Sequence, residues 1–293
     1  MISDYPQWTP ITLDMRSLLH PYFLKLEAGI SEFTFSNIYL FRATYNYQVS
    51  RIGTDLYALC GERHGKRFFA LPWGVPSPEI LSDLFAKFDF WKNAHEIQVQ
   101  SLSQRPDTAK LEPREDRDNW DYLYLTTEMA ELEGKKFHKK RNLIHQFAHE
   151  YGEIFYKPLT KETVQDGLDV LNHWATKRDD TGDLAASREA IMLFEDLELT
   201  GGVFYVQDKP VGYNLGESVQ QGKSFILHFE KADHDFKGIY QAIYQHCAKL
   251  LLDSCLVINR EQDLGDPGLR QAKETYRPVD FVKKYQIWNA TNL

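Results

Sequence analysis

Twice along this chain of 293 residues, three short strand candidates follow one another across turns of hairpin length. The first set covers residues 47–52, 56–61 and 67–71, broken by Gly53-Thr54-Asp55 and by His64-Gly65-Lys66. The second covers residues 202–207, 211–216 and 224–231, broken by Asp208-Lys209-Pro210 and by Gln220-Gln221-Gly222-Lys223. Strands joined this closely pair antiparallel with their neighbours, so each set predicts a meander. Two helix candidates precede each meander, at 14–25 and 35–45, then at 160–177 and 187–197. After the first come a helix at 78–88 and strands at 96–102 and 122–125. After the second come a helix at 238–252, a strand at 255–259, a helix at 267–275 and a last strand near 282–287. The order repeats without visible identity between the halves. It predicts an α+β chain of two domains of one architecture, residues 1–128 and 129–293.

With 18 Phe, 16 Tyr and 6 Trp, the chain can fill two cores. Its 34 basic against 42 acidic residues give a net charge of −8, which disfavours duplex DNA as a partner. Cys60, Cys247 and Cys255 form no C-x-x-C and cannot all pair, as expected of reduced thiols in a cytoplasmic protein. The start of the chain lacks the basic and apolar regions of a secretory signal. The most apolar stretch, residues 250–258, is interrupted by Asp253 and is too short to span a bilayer, so no stable membrane insertion is expected.

The net charge conceals a basic island. Between Lys135 and His149 there are five Lys or Arg, three His and no acidic residue. Read as a helix, Phe137, Ile144, Ala148 and Tyr151 form an apolar stripe with Lys140 and Arg141 flanking it, while Lys135, Lys139, Asn142 and Gln146 face away. Such a segment suits a phosphate-bearing ligand, nucleic acid included; the competing reading is a solvated linker helix.

Two strand ends carry the remaining polar candidates. His228-Phe229-Glu230-Lys231-Ala232 turns from apolar to charged where α/β sites tend to lie. It leads through Asp235, Phe236 and Lys237 to Gly238 at a helix start, a place that suits phosphate. The second is Asn259-Arg260-Glu261-Gln262-Asp263, with Arg270 beyond it. Here Glu230 or Glu261 is a candidate general base, Arg260 and Arg270 are candidate anion binders, and His228, Asn259 and Asp263 are candidate substrate contacts. Metal sites find no support. His145 and His149 stand four apart, but Gln146 occupies the place of a metalloprotease glutamate, and the loop from Asn259 fails the EF-hand pattern at Leu264 and Arg270. Serine-hydrolase, P-loop and dinucleotide motifs are missing from the sequence.

Several segments together resemble a known family. They are Phe33-Thr34-Phe35-Ser36-Asn37-Ile38-Tyr39-Leu40, the run from Gly134 to Asn142, His228 to Ala232, Ile258 to Gly265, and Leu269-Arg270-Gln271-Ala272-Lys273. Over nearly the whole chain the sequence is similar to uncharacterised bacterial proteins that resemble the C-terminal catalytic domain of phosphatidylglycerol lysyltransferase. The resemblance implies two GNAT-like acyltransferase folds in tandem, and a transferase taking an acyl or aminoacyl group from aminoacyl-tRNA or acyl-CoA to an amine or hydroxyl. It implies a pyrophosphate-binding turn of the form Gln/Arg-x-x-Gly-x-Gly/Ala, which aligns with Asp235-Phe236-Lys237-Gly238-Ile239-Tyr240. Only Gly238 matches, so the acyl-CoA motif is degenerate, although Lys237 could offset the charge of Asp235. Leu71 to Pro76 offers less still, and the first domain is expected to be structural. In such a transferase Tyr240 or Tyr276 would protonate the leaving group, and Lys139, Arg141, Arg260 and Arg270 would hold donor phosphates. The alternative is a non-catalytic module that binds tRNA or another anion through the basic helix.

Overall fold

The computed structural model describes residues 1–177 and 182–292. It divides into two compact units, one made of Met1–Asp121, Gln262–Asp266 and Phe281–Leu293, the other of Tyr122–Glu261 and Pro267–Asp280. Each contains a seven-stranded mixed sheet flanked by helices. The strands in chain order are β1 Thr9–Pro10, β2 Gln48–Ile52, β3 Leu56–Arg63, β4 Lys66–Ala70, β5 Phe90–Ala94, β6 Leu111–Glu115, β7 Asp121–Leu125, β8 Ile154–Pro158, β9 Thr200–Val206, β10 Lys209–Val219, β11 Ser224–Ala232, β12 Val257–Asn259, β13 Asp280–Val282 and β14 Tyr285–Asn289. The sheet orders are β1-β2-β3-β4-β5-β14-β6 and β13-β7-β12-β11-β10-β9-β8.

Both meanders form as the turn spacing predicts: β2-β3-β4 and β9-β10-β11 are antiparallel runs. Each then continues through one helix into a parallel strand, Pro78–Lys87 between β4 and β5, and Ile239–Leu250 between β11 and β12. The outer strands, however, are exchanged between the sequence halves. β14, at the chain's end, lies between β5 and β6 of the first sheet, and β7, which closes the first half, pairs with β12 of the second. A single cut after residue 128 therefore does not coincide with the compact units.

Three local expectations change. Residues 96–102 are not a strand but belong to the helix Glu96–Ser103. The Gln98 side chain accepts from the His95 amide at 2.8 Å, closing a capping box, and Gln98 and Leu102 are buried four residues apart at helical period. β5 escapes notice because Lys92 and Asn93 are buried within it, and β6 because its Glu-Pro-Arg-Glu face is exposed. The basic helix is His138–Tyr151, but its buried residue is Phe147, with Leu143 and Ile144 partly buried and Ala148 exposed.

The first unit's core joins Phe69, Leu84, Phe85, Trp91 and Ile287, so β14 supplies core apolar surface. The same C-terminal segment supplies a charge. Lys284, fully buried, donates to Asp121 at 2.6 Å and to Glu32, while the Lys92 ammonium lies 3.6 Å from the other Glu32 oxygen. Two cations and two carboxylates balance, and Ser31 bonds Asp121 as well. No helix of the described residues is long and apolar enough to cross a membrane.

Breaking a buried pair leaves an uncompensated charge, which costs about 3–5 kcal/mol. Lys284→Met should therefore lower the unfolding free energy of the first unit, read from urea denaturation, by about that much, and a change no larger than a surface substitution gives would contradict this account.

Candidate active site at the parting of two strands

The parallel pairing of β11 with β12 covers only Ser224↔Val257, Phe225↔Ile258 and Ile226↔Asn259. Beyond it β11 runs on to Ala232, while the other chain turns away through Arg260 and Glu261. Glu261 takes a positive φ of 57° as it does so. The amides and carbonyls of β11 on that side are left without a strand partner, and side chains fill the gap. A bulge sharpens this. Leu215 pairs with Phe229 and Gly216 with Leu227, so His228 is the extra residue, and bulges re-aim a side chain in this way.

Two polar bridges span the parting. His228 Nδ1 lies 2.7 Å from Glu261 and its Nε2 lies 2.9 Å from Glu217, with the ring almost wholly buried. Burial opposes the charged imidazolium, but hydrogen bonds and charge from Glu217 and Glu261 outweigh it and raise the pKa to about 10. His228 is thus a doubly donating cation locked between carboxylates. Asn259 accepts from the Glu261 amide at 2.7 Å and holds this turn.

In the second bridge the Arg260 guanidinium donates to Glu230 Oε1 at 2.9 Å. Burial pushes the Glu230 carboxyl up, with Arg260, Lys231 and Lys273 pulling it back. Its second oxygen, Oε2, is buried without a hydrogen bond. Arg260 lies over the Tyr244 ring at 4.0 Å and beside Tyr276 at 5.4 Å. Tyr124, Tyr244 and Tyr276 pack edge to face with centroids 5.1–6.3 Å apart. The Tyr244 hydroxyl is also buried without a partner, and burial raises Tyr276 to about 12. Lys273, buried on the helix Pro267–Glu274, donates to the carbonyls of Arg260 and Glu261 and pins the turn. Lys140 closes the group: its ammonium sits 3.8 Å over the Tyr276 ring, and burial and the charge of Arg260 lower its pKa to about 8.

Of the sequence candidates, Glu230, Glu261, Arg260, Tyr276, His228 and Asn259 gather at this parting. Others do not. Tyr240 is engaged by the backbone amide and carbonyl of Ala232. Arg141 donates to the carbonyls of Leu132 and Gly134, capping the end of the helix Thr126–Glu131. Lys139 is exposed, and Lys237 lines a surface groove with His145, Gln146, His149 and Glu150. Arg270 is partly buried on the helix Pro267–Glu274. Asp263 belongs to the first unit, where Arg117 donates to it at 3.2 Å and the Gly265 amide at 2.9 Å. Lys140, Tyr124, Tyr244 and Lys273 belong to the cluster as well, and nothing at the strand ends marks them. For Lys140 the signal was present: it flanks the apolar stripe, and taking Phe147 into the stripe turns it inward.

Gly238 has φ +91°, and a Cβ there would meet the Leu143 carbonyl oxygen at 2.5 Å. The start of the helix Ile239–Leu250 is therefore covered by the basic helix, and the preceding turn is held by Lys177 on Asp235 and by the Tyr151 hydroxyl on the Asp235 carbonyl. Among the described residues one group could hold a metal by its spacing, His173, Asp233 and Asp235, but Lys177 and Lys209 already place ammonium groups 3.0 and 3.3 Å from Asp233. A cation has no unneutralised charge to meet there.

Residues 23–287 match the family described as phosphatidylglycerol lysyltransferase, C-terminal. A conserved protein of unknown function from Bacteroides thetaiotaomicron is 30% identical, superposes with a TM-score of 0.86, and aligns over 99% of this chain and all of its own. L-PGS from Bacillus licheniformis is 11% identical with a TM-score of 0.67, over 99% of this chain and 94% of that one. The C-terminal domain of a putative lysylphosphatidylglycerol synthetase from Agrobacterium fabrum is 13% identical with a TM-score of 0.66, over 95% and 93%. A tandem GNAT protein of the clavulanic acid pathway shares the fold at 7% identity and a TM-score of 0.50. An uncharacterised Mycoplasmoides gallisepticum protein is 23% identical over 171 residues, so the match spans 55% of that relative's length.

Two measurements test the geometry. Because the pKa of His228 is raised, its proton stabilises the fold fully below the ordinary histidine value of about 6.5, and that contribution is lost as pH climbs through about 10. Denaturation midpoints of the native chain should fall from pH 7 to 10, and His228→Gln should flatten that fall; an unchanged slope refutes the charged histidine. Gly238→Ala should cost about 1–3 kcal/mol from strain and the Leu143 contact. A neutral result in thermal unfolding would mean that the helix start is open.

Proposed function

Because the chain belongs to the family of phosphatidylglycerol lysyltransferase C-terminal domains, we propose that it transfers an aminoacyl or acyl group, with its site at the β11–β12 parting of the second unit. The observation that carries this reading is the unpartnered Glu230 Oε2, a buried acceptor whose pKa is raised by that burial. A general base must reach a proton on the nucleophile and have a pKa brought towards neutrality, and burial does this for Glu230.

In the step proposed, Glu230 takes the proton of an acceptor amine or hydroxyl as that group attacks the donor's carbonyl carbon. Arg260 and Lys140 oppose the negative charge that develops on the carbonyl oxygen. Tyr276 returns a proton to the departing oxygen. A phosphate-bearing donor suits the surplus of cations around the ring cluster. Aminoacyl-tRNA fits better than acyl-CoA, because the helix start that would take a pyrophosphate is covered by Leu143 and Phe147. The exposed side of the helix His138–Tyr151, with Lys139, His145 and His149, would meet the nucleic-acid backbone. The first unit is assigned a structural role: at its own parallel pair, Phe68 packs on Phe90, which stacks on Trp288 at 4.8 Å.

Charged tRNAs and acyl-CoAs, offered separately with amine and hydroxyl acceptors, test the proposal. Transfer from aminoacyl-tRNA is expected, with Glu230→Gln lowering kcat about 10²–10⁴-fold while tRNA binding persists. The exposed basic helix favours one rival, a binding module without chemistry. Wild-type protein that binds tRNA but never turns over would establish it, and binding of neither donor would end both readings.

A further inference from the structure

Lys140 differs from Lys139, which stands exposed beside it on the helix, and from the paired lysines nearby. Lys136 is neutralised by Glu128 at 2.6 Å, Lys231 by Asp183 at 2.8 Å, and Lys273 is spent on two carbonyls. No carboxylate pairs with Lys140 among the described residues; its amine rests on the Tyr276 ring, half-buried. Arg260 approaches the same ring at 5.4 Å, and the nearby carboxylate, Glu230, is already committed to that arginine. An amine held in place, partly stripped of water, next to a second cation and without an anion is the environment in which lysine loses its proton and becomes a nucleophile.

We propose that Lys140 is a site of covalent acylation by small activated acyl donors, acyl phosphates or acyl thioesters, and that its acylation disables the anion-binding side of the site. The free amine's lone pair attacks the carbonyl carbon, a C–N bond forms, and the C–O or C–S bond to phosphate or thiol breaks. The leaving group departs with the electron pair, and the surplus amine proton goes to it or to solvent. The product amide is neutral. It removes the unpaired cation of the cluster and places a bulky group over Tyr276, so a phosphate-bearing donor loses both charge and room. This second part rests on the function proposed above; the reactivity of the amine does not.

The lowered pKa of about 8 favours the reaction near neutral pH. Each pKa unit of lowering raises the free-amine fraction roughly tenfold, offset in part by weaker nucleophilicity. The full chain, incubated with acetyl phosphate at pH 8 and mapped by peptide mass spectrometry, should show acetyl-Lys140 accumulating about tenfold faster than acetyl-Lys139, the exposed lysine beside it. The Lys140 rate should level off above about pH 9. Labelling of Lys140 no faster than Lys139 overturns the reactive amine, whatever the protein's activity. Inorganic pyrophosphate should slow acetylation at Lys140 and leave Lys139 unaffected, and acetylated protein should bind aminoacyl-tRNA at least severalfold more weakly. Fast labelling without either effect overturns the regulatory half alone.

Discussion

The Arg260–Glu230 pair stands where two parallel strands separate, and the surrounding unit is arranged to make that burial tolerable. Removing a guanidinium and a carboxylate from water is costly, and one hydrogen bond of 2.9 Å does not by itself offset the loss. The faces of Tyr244 and Tyr276 supply part of the difference as cation–π contacts. Lys273, by holding the Arg260 and Glu261 carbonyls, fixes the turn that aims the guanidinium. The result is a buried carboxylate with one oxygen anchored by Arg260 and the other without a hydrogen bond.

His228 and Glu230 lie two residues apart on one strand and meet opposite fates. The bulge turns His228 into a pair of carboxylates that hold it charged and inert, while Glu230 faces a single arginine. A histidine at a strand end looks like the natural acid or base. Burial between two anions removes it from that role, because an imidazolium that has both nitrogens engaged neither gives nor takes a proton near neutrality.

The basic helix likewise divides its work by face. Arg141 caps a neighbouring helix end, Lys140 turns to the ring cluster, and Lys139 with the histidines stays in water. Its carbonyl at Leu143 presses on Gly238, so the glycine that resembles a phosphate-binding residue is required by close helix packing and a left-handed φ. One small residue thus serves a backbone contact rather than a ligand. In the first unit, Lys284 does comparable structural work by joining the chain's last segment to Asp121 and Glu32.

Local features are legible in the residues alone. Hairpin-length turns set the two meanders, helical spacing set the crossover helices, and quoted segments such as Gly134 to Asn142 and His228 to Ala232 carried the family resemblance. Charge following an apolar strand pointed to Glu230, Arg260 and Glu261, which the structure brings together at one parting; Tyr276 entered only through the resemblance. Which distant strands pair, with β7 and β14 exchanged between the halves, is settled in the folded chain, since the partners lie over a hundred residues away. The tertiary structure also chose Lys140 over Lys139 and Arg141. Neighbours on a helix point about 100° apart, so admitting Phe147 and dropping Ala148 from the buried stripe changes which cation looks inward.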